Sequence, residues 1–590
     1  MTRTTKQAKP TKPADAKART TKPPHTATIA TRTSQRWPEP FRPVFSDVGL
    51  VGAAFFFALS LVPSLLPRAS VVQGIITGVA MAIGYGLGAG GEALWRFLQI
   101  PAIEGRKREI AVTVLLTLLG LLAATSLWQY VGWQNAVRKI MDMPPVNPAV
   151  WLWIIPVAAL TAYISLAIAR GFRIFFRTIG NLLDRFMPRR LALASGALIS
   201  LLLVWGLFNG VVDRAFFAGA NAMFSGNDLI TEEGAVKPTS AHRTGGPDSL
   251  APWDSLGRTG RNFVSGGPTV DQLNAFNNTD DALEPIRVYA GLRSGDSLNE
   301  RANVLLEEFI RTGAFEREAI VVATTTGTGW LDPNSVDTIE YIFNGDVAIG
   351  GLQYSYLPSW ISLLADQQAV KDTSLAQFRA VHEYWSALPE DTRPKLYLFG
   401  LSLGSYGVES ILTSPSILNE PIDGALMVGP TFLNPMHAEV TAGRDQGSPA
   451  SLPVYDQGRT VRFTSEDYGL DRGGDMWGPT RVVYLQHGSD PVTFFNPELA
   501  WSRPAWLGPD DRAPDVTARM DWFPIVTMVQ TALDLVGDGA VPEGFGHKYT
   551  VKAYADAWAG VFQADAMSGG HWTEADSERL DAVLAMDGEE

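Results

Sequence analysis

"LYLFGLSLGSYG" (Leu396–Gly407) joins an apolar run to a Gly-x-Ser-x-Gly pattern and then to residues typical of a helix. The run has the length and composition of a buried strand. Glycines two residues before and two residues after Ser402 allow a strand and a helix to approach closely across a sharp turn. The stretch therefore predicts a strand-turn-helix unit that presents Ser402 as a nucleophile. The alternative is a serine in an ordinary glycine-rich turn.

The sequence around this unit alternates apolar strands with amphipathic helices after Pro285. The predicted strands are Ile286–Leu292, Glu318–Trp330, Lys395–Gly400, Gly424–Pro430 and Arg481–Val492. Helical spacing of apolar residues predicts helices in "LNERANVLLEEFIRTGA" and "SLAQFRAVHEYWSAL". Nearly all-apolar strands that alternate with helices indicate an α/β fold with a mostly parallel sheet, covered by helices on both faces.

A serine hydroxyl attacks a carbonyl effectively only when a base removes its proton and an acid orients that base. Where such a serine sits on a strand-to-helix turn, the acid and then the histidine follow it along the chain. Asp490 in "VVYLQHGSDPV" follows a late strand and is the predicted acid, with a helix cap as its alternative. Only His547 and His571 come later. His547 lies between a Pro/Gly loop and a helical segment and is the predicted base, and His571 remains the alternative.

The negative charge that develops on an attacked carbonyl oxygen needs two backbone N–H donors. Leu403 supplies one by its position after the serine. The glycine-rich loop "TTTGTGW" (Thr324–Trp330) is the predicted source of the other, from Gly327 or Thr328. No Gly-Lys-Ser/Thr follows this loop, so a phosphate-binding role is not indicated. The sequence contains no zinc or calcium motif, and we expect neither a metal nor a cofactor.

The charge of the 590-residue chain is divided very unevenly. Residues 1–212 contain 23 Lys and Arg against 8 Asp and Glu, whereas residues 213–590 contain 25 against 53. The acidic second half argues against nucleic-acid binding, which needs a cationic surface. The absence of cysteine excludes disulfides and thiolate chemistry. Residues 1–45, rich in Thr, Pro, Lys and Arg, are predicted to be a disordered basic tail.

Five apolar stretches follow the tail, each close to the roughly 20 residues that cross a bilayer. They are Val48–Leu66, Val71–Gly90, Ile110–Val131, Val150–Ala169 and Leu191–Val212. The sequence thus predicts an all-α membrane domain of about five helices over residues 46–212. An irregular collar over 213–285 and a catalytic domain over 286–590 are expected after it. Buried core helices of a soluble domain are the alternative.

Loop charges predict the orientation of these spans. The tail carries ten Lys and Arg, and the loops after the second and fourth spans carry four and six. The opposite side has only Arg68, Arg138 and Lys139. We therefore expect a multi-pass protein of the cell membrane with a cytoplasmic N-terminus and an extracytoplasmic catalytic domain.

Substrate contacts are harder to assign from sequence. Arg258 and Arg261, three residues apart in "PWDSLGRTGRNFV", are candidates to hold a carboxylate or a phosphate-bearing headgroup. Ion pairs with the acidic surface are the alternative for both. Trp330 and Leu401 are the other candidates, because they flank the predicted oxyanion loop and the nucleophile.

Together, several stretches resemble the bacterial membrane-anchored α/β-hydrolase family, which joins a multi-span N-terminal domain to an α/β-hydrolase catalytic domain. They are "PWDSLGRTGRNFV", "TTTGTGWLDPNSVDTIEYIFNGDVA", "QYSYLPSW", "RPKLYLFGLSLGS" and "YLQHGSDPV". The resemblance runs from about Phe45 to the C-terminus and implies a triad of Ser402, His547 and Asp490. The family often has Glu before the nucleophile, where this chain has Leu401. We expect that difference to alter polarity beside the serine.

These features predict a membrane-anchored serine hydrolase that cleaves an acyl ester, with a lipid or cell-envelope component as the expected substrate. An acyltransferase uses the same triad and is the first alternative. A non-enzymatic transporter or scaffold with a degenerate hydrolase domain is the second. The sequence does not indicate an oligomeric state.

Overall fold

The computed structural model describes residues 45–101, 105–206, 213–474, 476–537, 541–562 and 572–587. Seven parallel strands form one sheet in the order β1-β3-β2-β4-β5-β7-β6. The strands are β1 Ile286–Ala290, β2 Ala319–Thr324, β3 Val347–Leu352, β4 Lys395–Leu401, β5 Gly424–Val428, β6 Val461–Thr464 and β7 Arg481–Leu485. This sheet confirms the predicted α/β fold class. Strands β3 and β6 were not predicted.

Helices cover both faces of the sheet. They are α9 Leu298–Arg311, α10 Pro333–Ile342, α11 Ser359–Ala365, α12 Gln367–Ser386, α13 Leu403–Leu412, α14 Ser416–Asn419, α15 Pro435–Ala442, α16 Pro491–Phe494, α17 Val526–Gly537, α18 Val551–Phe562 and α19 Glu574–Asp587. Alternate residues of the strands belong to two separate cores: Val321 and Phe399 pack with α10 and α18, and Val322 and Leu398 pack with α9, α12 and α13. This alternation follows from the two-residue period of a strand.

The chain before the sheet is helical. Its helices are α1 Asp47–Ser60, α2 Ser70–Phe97, α3 Arg106–Ile140, α4 Trp151–Leu183, α5 Arg189–Gly206, α6 Asp213–Asp228, α7 Gly257–Ser265 and α8 Val270–Asn277. Among the described residues, the segments Ser70–Phe97, Arg106–Ile140 and Pro148–Leu183 are long and apolar enough to cross a membrane. The expected tail, residues 1–45, lies outside the described residues except for Phe45.

The first predicted span is shorter than expected, and the fifth is described only in part. Helix α1 has 14 residues, and at 1.5 Å per residue it is about 21 Å long, shorter than the roughly 30 Å of a hydrocarbon core. It ends at Ser60 before Pro63 and Pro67, which cannot continue a helix. The described part of the fifth span, residues 191–206, belongs to helix α5, and residues 207–212 lie outside the described ones.

Polar contacts mark the two ends of the N-terminal helices. At one end Ser46 Oγ and Arg108 Nη2 both contact the Glu92 carboxylate, at 2.5 and 2.8 Å. At the other end Gln73 Nε2 donates to Ser60 O at 2.8 Å. The first end carries the basic loop before α3, whereas the second end contacts the sheet half of the chain.

An apolar junction joins this second end to the sheet half. We define the junction cluster as Leu65, Leu66, Val137 and Met141 of the N-terminal helices and their loops, packed with Phe494, Leu499, Trp506, Leu507, Val516, Met520 and Val541, among others. Helix α17 also packs directly on α1 and α2. The sheet half is therefore held against the helices by a continuous apolar contact.

Candidate active site

Ser402 occupies a strained turn between β4 and α13. Its φ is +56° and its ψ is −122°, a conformation that a residue with a side chain rarely adopts. A Cβ at Gly400 would lie 2.3 Å from the Gly404 carbonyl, and a Cβ at Gly404 would lie 2.4 Å from Thr324 O. The two glycines therefore allow the close strand-helix contact that the sequence pattern predicted.

Hydrogen bonds hold this turn in place. Ser402 N–H donates to Val428 O at 2.9 Å, and Ser402 O accepts from the Ser405 hydroxyl at 2.6 Å. Asn434 Nδ2 donates to Ser405 Oγ at 3.1 Å and to the buried Glu409 carboxylate at 2.9 Å. Burial raises the pKa of Glu409 above its ordinary value, against hydrogen bonds from Tyr484 and Asn434 that lower it. Sequence reasoning missed this support because its members lie on separate elements.

Asp490 and His547 are in contact. His547 Nδ1 lies 2.7 Å from Asp490 Oδ2, and the Asp490 side chain is fully buried. Asp490 also caps α16 by accepting from Val492 N–H at 2.7 Å, and Tyr549 Oη donates to the same Oδ2 at 2.8 Å. The cap, offered by the sequence as the alternative role for Asp490, coexists with its contact to the histidine.

The ring of His547 lies beside the turn that carries Ser402. Gly429 has a φ of +50°, and a Cβ there would lie 2.4 Å from His547 Cε1. Gly429 directly follows Val428, whose carbonyl accepts the Ser402 N–H. Strands β4, β5 and β7 end together at one carboxyl edge of the sheet, which Ser402 and the loop of Asp490 follow, and His547 lies there beside Gly429 and Asp490. His571 lies outside the described residues.

A second histidine supports the loop that carries His547. His487 Nδ1 lies 2.8 Å from Gly546 O, and its Nε2 lies 3.1 Å from Glu466 Oε1. The His487 ring also stacks on Tyr549, with centroids 4.2 Å apart. Burial lowers the pKa of His487, but the hydrogen bond and charge of Glu466 outweigh burial and raise the pKa above 6.5. His487 thus supports the loop of His547 through hydrogen bonds to Gly546 and Glu466.

The predicted oxyanion loop lies at the end of β2, next to β4. Thr326 and Trp330 exchange backbone hydrogen bonds of 3.0 Å and close the loop. Gly327, with a φ of +53°, donates its N–H to Tyr354 Oη at 2.7 Å. Thr328 O accepts from Gln353 Nε2 at 2.8 Å. Leu403 is fully buried at the start of α13.

The four candidate substrate contacts are distributed differently. Arg258 and Trp330 line a cavity of about 300 Å³ together with Thr328, where Arg258 is paired with Glu232. Arg261 is buried and donates to Asp228 O and Ile230 O at 2.9 and 2.8 Å. Leu401 is 6% exposed and packs in the core under the sheet. The structure thus brings two of the four candidates together.

We find no cluster of three or more His, Asp or Glu side chains able to hold a metal ion in the part of the chain that the structure describes.

Two family models match this chain. The model of the alpha/beta-hydrolase family covers residues 286–580, and the model of that family's N-terminus covers residues 61–268. No curated protein and no solved structure matches the chain. The first match covers the whole sheet, the turn at Ser402 and the contact between Asp490 and His547. The two matches confirm the resemblance to an α/β-hydrolase family with an N-terminal domain, and the chain belongs to the alpha/beta-hydrolase family.

Proposed function

We propose that this protein is a membrane-anchored serine hydrolase that cleaves acyl esters. Ser402 Oγ attacks the acyl carbonyl carbon while His547 takes the hydroxyl proton at Nε2, and Asp490 holds the Nδ1–H of His547. The tetrahedral intermediate expels the alcohol, which receives that proton and leaves an acyl-serine. Water, deprotonated by His547, then attacks the acyl-serine and releases the carboxylic acid.

The main support for this proposal is the arrangement of Ser402, His547 and Asp490 at one edge of the sheet. The strained Ser402, the 2.7 Å contact between His547 and Asp490, and the position of the His547 ring against Gly429 all support it. A structural role alone gives no reason for a serine to adopt a positive φ at the end of a central strand. The proposal further assigns the oxyanion to Leu403 N–H and to the loop of Gly327 and Thr328, where the oxyanion would replace Tyr354 Oη as acceptor of the Gly327 N–H.

The substrate that we propose is a lipid or another ester of the cell envelope. Asp490 is the N-cap of helix α16, which ends at Phe494, and Phe494 belongs to the junction cluster together with Leu65 and Leu66. The candidate site therefore lies on the side of the sheet that contacts the N-terminal helices. An enzyme so oriented would meet a substrate at the membrane surface.

The proposed topology follows from charge. The end of the helices that contacts the sheet half carries Arg68, Arg138 and Lys139. The opposite end carries the basic segments that precede α3 and α5. Under the positive-inside rule the basic end faces the cytoplasm, and the catalytic half is extracytoplasmic.

The purified full-length protein in detergent tests this function with a soluble short-chain p-nitrophenyl ester. We expect ester hydrolysis by the wild type, a loss of at least about 10³-fold in Ser402→Ala, and full activity in Ser410→Ala, a control on the same helix. Addition of a competing alcohol would reveal acyl transfer as a second product. Equal activity in the wild type and Ser402→Ala would refute the proposal.

A further inference from the structure

We propose that the ion pair between Arg68 and Asp534 positions the catalytic acid and base, so that the N-terminal helices form part of the catalytic machinery. This inference rests on the proposed function. It assigns a role beyond anchoring to a segment of the N-terminal half, residues 61–69, which lies between α1 and α2.

The pair is buried and bidentate. Arg68 Nε lies 2.8 Å from Asp534 Oδ1, and Arg68 Nη2 lies 3.1 Å from Oδ2. Their side chains are only 2% and 1% exposed. Ser64 Oγ donates to Asp534 Oδ2 at 2.6 Å, and Gln134 Oε1 accepts from Arg68 N–H at 3.0 Å. Arg68 Nη1 also lies 3.4 Å from Gln73 Oε1, so the cluster joins the 61–69 segment, α2 and α3 to α17.

Helix α17 is fixed by this cluster. Gln530, one turn before Asp534, donates its Nε2 to Ser60 O at 3.1 Å and to Val62 O at 2.8 Å. A helix of the sheet half thereby donates hydrogen bonds to the last carbonyl of α1 and to a carbonyl just after it. A buried pair of this kind gives little net stability, because desolvation offsets its attraction, but it disfavours any other alignment of the two surfaces.

Both Asp490 and His547 are connected to the junction cluster. Helix α17 packs on α16, the helix whose N-cap is Asp490, and Phe494 of α16 belongs to the junction cluster together with Leu65 and Leu66. On the other side, Val541 lies in the junction cluster and its carbonyl accepts from Lys548 Nζ at 2.8 Å. Lys548 directly follows His547. A shift of the 61–69 segment would therefore move the acid and the base.

The experiment compares Arg68→Met, Asp534→Leu and the double variant with the wild type, all as full-length protein. The measurements are kcat and KM for the short-chain ester, the pH dependence of kcat/KM, and the folded fraction. Arg287→Met is the matched control. Arg287 of β1 forms a buried ion pair of 2.7 Å with Glu340 of α10, and β1 lies at the edge of the sheet.

We expect each single variant to lower kcat per folded molecule by at least about tenfold, since small misplacements of catalytic groups are costly. KM should change little, and the pH profile should shift. The double variant should recover kcat to within about threefold of the wild type, because an apolar pair can replace a buried ion pair. Arg287→Met should lower the folded fraction without lowering kcat per folded molecule.

Single variants with wild-type kcat and pH profile would overturn the inference, as would an equal loss of kcat in Arg287→Met. An inactive wild type would instead refute the proposed function, so the two failures are distinguishable.

Discussion

His547 and Asp490 share a 2.7 Å contact between Nδ1 and Oδ2, although 57 residues separate them in the chain. The same carboxylate accepts from Val492 N–H and from Tyr549 Oη. These donors leave the carboxylate little freedom to rotate. The tautomer of His547 with its proton on Nδ1 is the one that this contact favours, and it leaves Nε2 able to accept a proton from a serine.

Asp490→Asn tests that relationship. The amide preserves the shape of the side chain but no longer stabilises the imidazolium, and it favours the wrong histidine tautomer. We expect kcat to fall by about 10⁴-fold with little change in fold. Ester hydrolysis by the purified variant measures this loss. Asp423→Asn is the control, because Asp423 lies beside the start of β4, at the opposite end from Ser402. Near-wild-type activity in Asp490→Asn would show that another acid serves the base.

His487→Gln tests the support behind the site through its pH dependence. Because the pKa of His487 is raised above 6.5 in the folded protein, its stabilising contribution is complete below that pH and is lost as pH rises through the folded pKa. Burial raises the pKa of Glu466, but His487 and Thr550 outweigh burial and lower it below 4.5. The contribution of Glu466 is therefore present above pH 4.5 and is lost as pH falls through the lowered pKa.

The wild type should thus exceed His487→Gln in free energy of unfolding by about 1.5–3 kcal/mol near pH 6, the range for hydrogen bonds to charged groups. The difference should shrink as pH rises. Thermal unfolding of both proteins across the pH range measures it. A difference that grows toward alkaline pH would contradict a raised pKa of His487.

Gly327→Ala tests the oxyanion loop. A Cβ at Gly327 would lie 2.5 Å from Ser359 N, and the residue has a φ of +53°. The loop must therefore shift, and we expect kcat to fall by about 10²-fold, as for loss of one oxyanion donor. Gly313→Ala is the control, since Gly313 also has a positive φ, +76°, but a Cβ there would lie 3.8 Å from Glu316 Oε2, its nearest neighbour. Equal activity in both variants would contradict the assignment of the oxyanion donor to the loop of Gly327 and Thr328.

Introduced cysteines test the proposed topology, because the chain has none of its own. Asp391→Cys places an exposed thiol on the sheet half, and Phe186→Cys places one in the basic loop before α5. A membrane-impermeant maleimide should label the first in intact cells and the second only after permeabilisation. The reverse pattern would place the catalytic half in the cytoplasm.

The sequence predicted the central strands and the chain order of the candidate triad because both follow local patterns. It missed β3, where Gly350 makes room for Phe309 and interrupts the apolar run, and β6, a four-residue strand that contains Arg462. It also overestimated the length of α1, because the apolar run continues past Ser60, whereas the helix ends there, before Pro63 and Pro67. No pattern links Arg68 to Asp534, which lie 466 residues apart. Only the folded chain reveals that contact.

The most direct measurement is fluorophosphonate labelling of the full-length protein, with the modified residue identified by peptide mass spectrometry. If Ser402 is the nucleophile, a single adduct forms on Ser402, is absent in Ser402→Ala and forms much more slowly in His547→Gln. A folded wild-type protein that does not react, or an adduct on a different serine, would contradict this assignment.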